Sequence, residues 1–227
     1  MKIFCLASAG AQASMYSDLK KAMGKAGEII PIEYPGHGTR MSEPLIGSMK
    51  DLVGWCEEDI KKQLKDKSEP FMLLGHSMGS IICYQLEHLF KSEGYNLKKV
   101  VLAACQAPNF WLDYIGNIEE MDNKEFLEYV ASIGGVPEEL LENEFFKEIY
   151  TDIIRNDFVL LKRYVPQINK VETPLVLING NKDQLVGERW KYWQLYSQNE
   201  TQYFQLDENH FVVKDTNEMR DILKSVS

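Results

Sequence analysis

Two kinds of segment alternate along the 227 residues of the chain. Short apolar runs bounded by turn residues occur at Ile3 to Ala7, Ile29 to Glu33, Phe71 to Leu74, Val100 to Ala104, Leu175 to Ile178 and Gln202 to Leu206. Each has the length of a strand. Between them apolar residues recur at helical spacing, as in Met49, Leu52, Val53, Cys56, Ile60 and Leu64 and again in Met219, Ile222, Leu223 and Val226. Such stripes face a core. Strands and helices alternating end to end predict an α/β fold, a mostly parallel sheet with helices on both faces. The stretch 109–165 breaks the rhythm: Pro137 is placed to start a helix, and the run from there to Tyr164 holds no further Pro or Gly. It is expected to be a helical insertion lying on the frame as a lid. With no repeat, low-complexity tract or linker, residues 1–227 are expected to form one domain.

Composition narrows the classes. The apolar fraction of 44% suits an ordinary globular domain, and no stretch approaches the roughly 18 continuous apolar residues of a membrane span. A net charge of −9, with no long basic run, argues against nucleic acid as a partner. Cys5, Cys56, Cys83 and Cys105 are widely spaced, with no CxxC pair and no neighbouring histidines to complete a zinc set, so they read as buried small hydrophobes in a reducing compartment. Met1 to Ala13 carries one Lys, a short apolar run and an A-x-A pattern, as a secretory signal does. The same residues serve as a first strand and a small-residue loop, and a cytoplasmic protein is expected. Nothing in the sequence demands more than a monomer.

The chemistry centres on Gly75-His76-Ser77-Met78-Gly79, where an apolar strand runs into G-x-S-x-G and then into a helical pattern from Ile81. Strand, sharp turn and helix are the context in which this motif presents a nucleophile. Ser77 would project from the turn at a helix N-terminus, where backbone N–H groups favour developing negative charge. A serine hydroxyl needs a base within hydrogen-bond reach and a carboxylate to hold that base in the right tautomer, following it in the order acid then histidine. Of four histidines, His37 and His76 precede the serine, and His88 sits on the following helix pointing away from its start. His210, in a loop before the last helix, remains. Asp183 closes the polar turn after the strand Leu175 to Ile178, where open α/β sheets place site residues. Asp207 and Glu208 are too near His210 along the chain to orient it, and Asp157 is a weaker rival within the insertion. Two backbone donors are expected for the oxyanion, from Met78 and from the small-residue loop Ser8 to Ser14.

Together these segments resemble the type II thioesterases, the stand-alone editing hydrolases that accompany non-ribosomal peptide and polyketide synthases within the α/β-hydrolase superfamily. Ser8 to Tyr16 is similar to the family's His-Ala-Gly-Gly-Ser-Ala-x-x-Tyr loop, and Tyr34 to Arg40 to its Pro-Gly-Arg-Gly-x-Arg turn. Gly75 to Gly79 matches the elbow, Ile154 to Phe158 the Arg-x-Asp-Phe segment, and Gly180 to Asp183 and Asn209 to Phe211 the regions of the acid and base. Ser8 and Ala11 depart from the family's His and Gly. The resemblance implies hydrolysis of acyl, aminoacyl or peptidyl thioesters from the 4'-phosphopantetheine arm of a carrier protein, with the oxyanion held by the Ala9 and Met78 N–H groups. It implies no metal or redox cofactor, and carrier domains as partners.

Gly10, Arg40 and Phe110 are candidates for contact with the substrate or its carrier, Arg40 through a phosphate of the arm. Lys20, Lys21, Lys25, Lys61, Lys62, Lys65 and Lys67 form either a local basic face for an acidic carrier or a solvated surface. Phe110, Trp111, Phe126, Tyr129 and Phe145 make the insertion aromatic, as an acyl-binding wall or as its own small core. Two other functions compete: an acyl-coenzyme A or carboxylester hydrolase using the same residues, and a catalytically silent hydrolase fold used for binding. A malonyl-type acyltransferase also carries Gly-His-Ser-x-Gly, but it needs an Arg downstream of the elbow, and none occurs between Ser77 and Asn109.

Overall fold

Among the described residues six strands, β1 (Lys2–Leu6), β2 (Glu28–Ile32), β3 (Phe71–His76), β4 (Leu97–Ala103), β5 (Leu175–Gly180) and β6 (Gln202–Leu206), form one sheet in the order β2-β1-β3-β4-β5-β6. All its pairings are parallel, from Leu6 opposite Gly75 at the centre to Gly180 opposite Leu206 near one edge. The computed structural model describes every residue except 25, 26, 111–114, 135, 137, 166–168, 215 and 227, with the backbone alone at 138. Lys25, Trp111 and Pro137 therefore lie outside the described residues. Every residue of β3 and β5 is buried, which is why these strands read as continuous apolar runs. β3 continues beyond Leu74 through Gly75 and His76, because backbone pairing with Leu102 and Ala103 is indifferent to side-chain hydrophobicity.

The helices are α1 (Ser17–Met23), α2 (Met49–Gln63), α3 (Met78–Ser92), α4 (Asn123–Ser132), α5 (Glu144–Arg163) and α6 (Asn217–Val226). Right-handed crossovers in this strand order put α1 on one face and α2 and α3 on the other. The contacts agree, with α1 against α6 and α2 against α3. The order reverses between β1 and β3, opening a crevice at the carboxyl ends of the strands where open α/β sheets bind ligands.

Between β4 and β5 the described residues include two helices, α4 and α5, and the run after residue 137 is not one helix. Residues 138–142 make a 3₁₀ turn, and Asn143 then accepts the Phe146 N–H and starts α5 afresh. Asp122 and Glu125 close a capping box at the start of α4. α4 and α5 bury an apolar cluster of their own, with Ile118, Phe126, Val130, Ile154 and Phe158 at its centre. Phe126 and Tyr129 belong to that cluster, whereas Phe145 is exposed. All four cysteines are buried, and among the described residues no helix is long and apolar enough to cross a membrane.

Candidate active site

Ser77 stands between the last residue of β3 and the first of α3 with φ 52° and ψ −113°. A side chain rarely adopts a positive φ, and the surroundings hold it there. The Ser77 N–H donates to the Ala103 carbonyl, and the Ser80 hydroxyl lies against both the Gly75 and Ala103 carbonyls at 2.8 and 3.0 Å. The helix start is pressed so tightly on the sheet that a Cβ on Gly79 would lie 2.0 Å from the Leu6 carbonyl oxygen, and one on Gly75 2.3 Å from that of Gly79. Only glycine fits at either position.

The Ser77 hydroxyl donates to His210 Nε2 at 3.0 Å, and His210 Nδ1–H donates to Asp183 Oδ2 at 2.9 Å. A carboxylate only accepts, so this contact assigns the ring proton to Nδ1 and leaves Nε2 to receive the serine proton. The other Asp183 oxygen accepts the Leu185 and Val186 N–H groups. Burial opposes its charge, but the His210 contact and these two donors outweigh burial and hold the carboxyl below its ordinary value. Ser77 follows β3, Asp183 follows β5 and His210 follows β6, so three strands that are distant in sequence deliver their ends to one crevice. Asp207 and Glu208 turn away to Lys182 and Lys214.

Met78, as the first residue of α3, has an N–H with no partner one turn earlier in the helix. The loop after β1 supplies the other side of the site. Tyr34 donates its hydroxyl to the Ala7 carbonyl, fixing the loop's start, while Ala9 lines a cavity of about 20 Å³ beside Ser77. Ile133, Phe158 and Leu161 from the helical segment close that cavity. A second, of about 10 Å³, also borders Ser77, against Ile81, Ala104, Cys105 and Val186. A wider cleft of about 590 Å³ leads outward past Asp183, Leu185, Asn209 and Phe211. The cavity of about 740 Å³ lined by Lys124, Glu128, Glu144 and Lys147 touches none of the three residues.

The remaining candidates have protein partners of their own. The Gly10 N–H is already committed to Asp157 at 2.8 Å. Arg40 pairs with Glu43 at 2.6 Å and stacks over Trp55. Phe110 packs edge-on against Tyr192. Lys21 pairs with Asp18, and Lys61 with Glu57 and Glu93. His88 rests beside Glu87.

Two histidines set aside in the sequence have partners far along the chain. His76 is fully buried, and its Nε2–H donates to the His210 carbonyl at 2.8 Å, tying the loop of the base to the strand of the nucleophile. Burial, with His210 alongside, pushes the His76 pKa down to about 3 and keeps the ring neutral. His37 pairs with Asp157. No spacing signal marks either one, because their partners lie 134 and 120 residues away.

A parallel α/β sheet carrying a serine, a histidine and a carboxylate in hydrogen-bond series at its carboxyl edge defines a hydrolase of the α/β-hydrolase fold. Residues 1–226 match the family described as "Thioesterase domain", and the chain belongs to that family, a thioester-hydrolysing enzyme of the serine-hydrolase type. It is 27% identical over 179 residues to the probable anguibactin biosynthesis thioesterase AngT of Vibrio anguillarum, covering 73% of this chain and 69% of that one. It is 24% identical over 233 residues to the medium-chain S-acyl fatty acid synthase thioesterase of Anas platyrhynchos, covering 100% and 90%. The crystal structure of ClbQ from the colibactin NRPS/PKS pathway superposes with a TM-score of 0.86 at 25% identity, over 99% of this chain and 94% of that one.

Proposed function

We propose that this thioesterase is of the type II editing class, clearing acyl, aminoacyl or peptidyl groups from the phosphopantetheine arm of carrier domains in a peptide or polyketide synthase. The observation that carries the reading is the hydrogen-bonded series Ser77, His210, Asp183 in a chain of the thioesterase family. Relatives named for anguibactin, gramicidin S and colibactin biosynthesis support the carrier-bound substrate.

In this mechanism His210 takes the Ser77 proton as the serine oxygen attacks the thioester carbonyl, and the Ala9 and Met78 N–H groups receive the oxyanion. The C–S bond breaks, His210 protonates the departing pantetheine thiolate, and an acyl-serine remains. Water deprotonated by the same imidazole then attacks the acyl carbon, and Ser77 recovers its proton as the acid departs. Asp183 keeps Nε2 facing the serine and stabilises the imidazolium. These steps ask for no metal or redox cofactor. The 109–165 segment acts as the lid of a single domain, with Phe158 and Leu161 on the acyl side. We place the enzyme in the cytoplasm as a monomer whose partners are carrier domains rather than nucleic acid or membrane.

The test is release of an acetyl or aminoacyl group from an intact acylated carrier protein, followed by mass spectrometry, beside the same acyl group on coenzyme A and a Ser77→Ala control. Faster Ser77-dependent release from the carrier is expected. Release from coenzyme A or small esters alone would replace this reading with a general acyl hydrolase.

A further inference from the structure

His37, in the turn after β2, is buried to 3% exposure with acceptors at both ring nitrogens. Nδ1 lies 3.0 Å from the Pro35 carbonyl and Nε2 3.0 Å from Asp157 Oδ2. A neutral imidazole carries one ring hydrogen and would leave a bare nitrogen against an oxygen, whereas an imidazolium satisfies both contacts. Among the described residues Asp157, on α5 and 1% exposed, meets only donors: the Gly10 N–H at 2.8 Å and His37 on Oδ2, and the Asn156 amide at 3.4 Å on Oδ1. The pair therefore bears on the loop that carries Ala9. Gly10 has φ 69°, and a Cβ there would lie 2.4 Å from Ile154 Cγ1, so α5 grips this residue by packing as well as through Asp157.

We propose that His37, held as an imidazolium, is a positioning residue for hydrolysis: it fixes the Asp157 carboxylate against the Gly10 N–H and so aims the neighbouring Ala9 N–H at the oxyanion. This rests on the reading of Ser77 and Ala9 given above. The charged and titratable groups around the ring agree with the assignment. Asp157 faces it from α5, Glu33 from the residue after β2, and the Tyr34 ring meets it edge-on at 5.6 Å. Arg40, in the same turn, points its guanidinium to Glu43 and Trp55. Burial alone would lower the His37 pKa, but the Asp157 hydrogen bond and charge, with the Pro35 carbonyl and Glu33, raise it above its ordinary value. Above that pKa the ring loses one of its two donors, the buried carboxylate loses its counter-charge, and the loop relaxes. Oxyanion stabilisation depends on donor placement within a fraction of an ångström.

The experiment measures the rate of Ser77 phosphonylation by a fluorophosphonate from mildly acid to alkaline pH, resolved into its saturating rate and its half-saturation concentration. The wild type, His37→Gln and His37→Arg are compared, with Ser77→Ala as control, and ring-nitrogen NMR of the wild type reports the protonation of His37. We expect His37 doubly protonated at neutral pH and an alkaline fall in the saturating rate that follows its titration. His37→Gln should lose about ten- to a hundredfold in that rate, with half-saturation little changed and the alkaline fall gone. His37→Arg should restore the rate and hold it at alkaline pH. A singly protonated His37 at neutral pH overturns the proposal even if neither variant folds, and so does a His37→Gln profile equal to the wild type. No Ser77 labelling in the wild type would instead overturn the reading of the site itself.

Discussion

Among the described residues stand two buried histidine–aspartate pairs of nearly equal geometry, His210 with Asp183 at 2.9 Å and His37 with Asp157 at 3.0 Å. They differ at the second ring nitrogen. His210 turns it to the Ser77 hydroxyl, a group that donates, beside open space. His37 turns it to the Pro35 carbonyl, a group that only accepts. The first ring is arranged to receive a proton and the second to keep one. A pairing of residue types thus has no fixed role, and the partner of the free nitrogen assigns it.

Breaking the reactive pair should give the largest effects. Ser77→Ala is expected to remove the acyl-enzyme and cut turnover by on the order of 10³-fold or more, read by intact-protein mass spectrometry and steady-state rates. Asp183→Asn keeps the shape but allows the ring to adopt the wrong tautomer, and kcat should fall by on the order of 10³ to 10⁴. Unchanged turnover in Asp183→Asn would remove Asp183 from its role and reopen the choice of acid. A smaller effect is expected at His76: His76→Leu removes the donor to the His210 carbonyl, and we expect about a tenfold loss in kcat with KM steady. Loss confined to KM would contradict a role in holding the base.

The frame beneath them can be broken separately. Gly79→Ala drives a methyl into the Leu6 carbonyl and should cost about 3 kcal/mol or more, seen as a fall in Tm or failure to fold. The smallest effect sharpens the contrast of charge through stability measured against pH. Asp183, with its pKa lowered on folding, contributes stability above its unfolded value and loses it as pH falls through the folded one. His37, with its pKa raised, contributes fully below its unfolded value and loses that contribution as pH rises through the folded one. The acid-side loss should weaken in Asp183→Asn and the alkaline-side loss in His37→Gln, each leaving the other limb in place.

The sequence by itself determined the six strands, the elbow and the choice of Ser77, His210 and Asp183 as candidates. Those signals are local: a buried parallel strand is a run of apolar residues, and the elbow needs glycines at fixed offsets because its helix is pressed on the sheet. Tertiary structure alone decided what long-range contacts decide. Phe126 lies in the small core of α4 and α5, while Phe158, which carried no weight as an aromatic in the sequence, reaches the cavity beside Ser77. Gly10 offers its N–H to a helix 147 residues onward, and Arg40 is occupied by Glu43. His37 and His76 were set aside because they precede the serine in the chain, yet a parallel sheet gathers the carboxyl ends of all its strands on one edge whatever their order. Chain order constrains which strand a residue follows, but the partner it meets there depends on the packing of elements far apart in sequence.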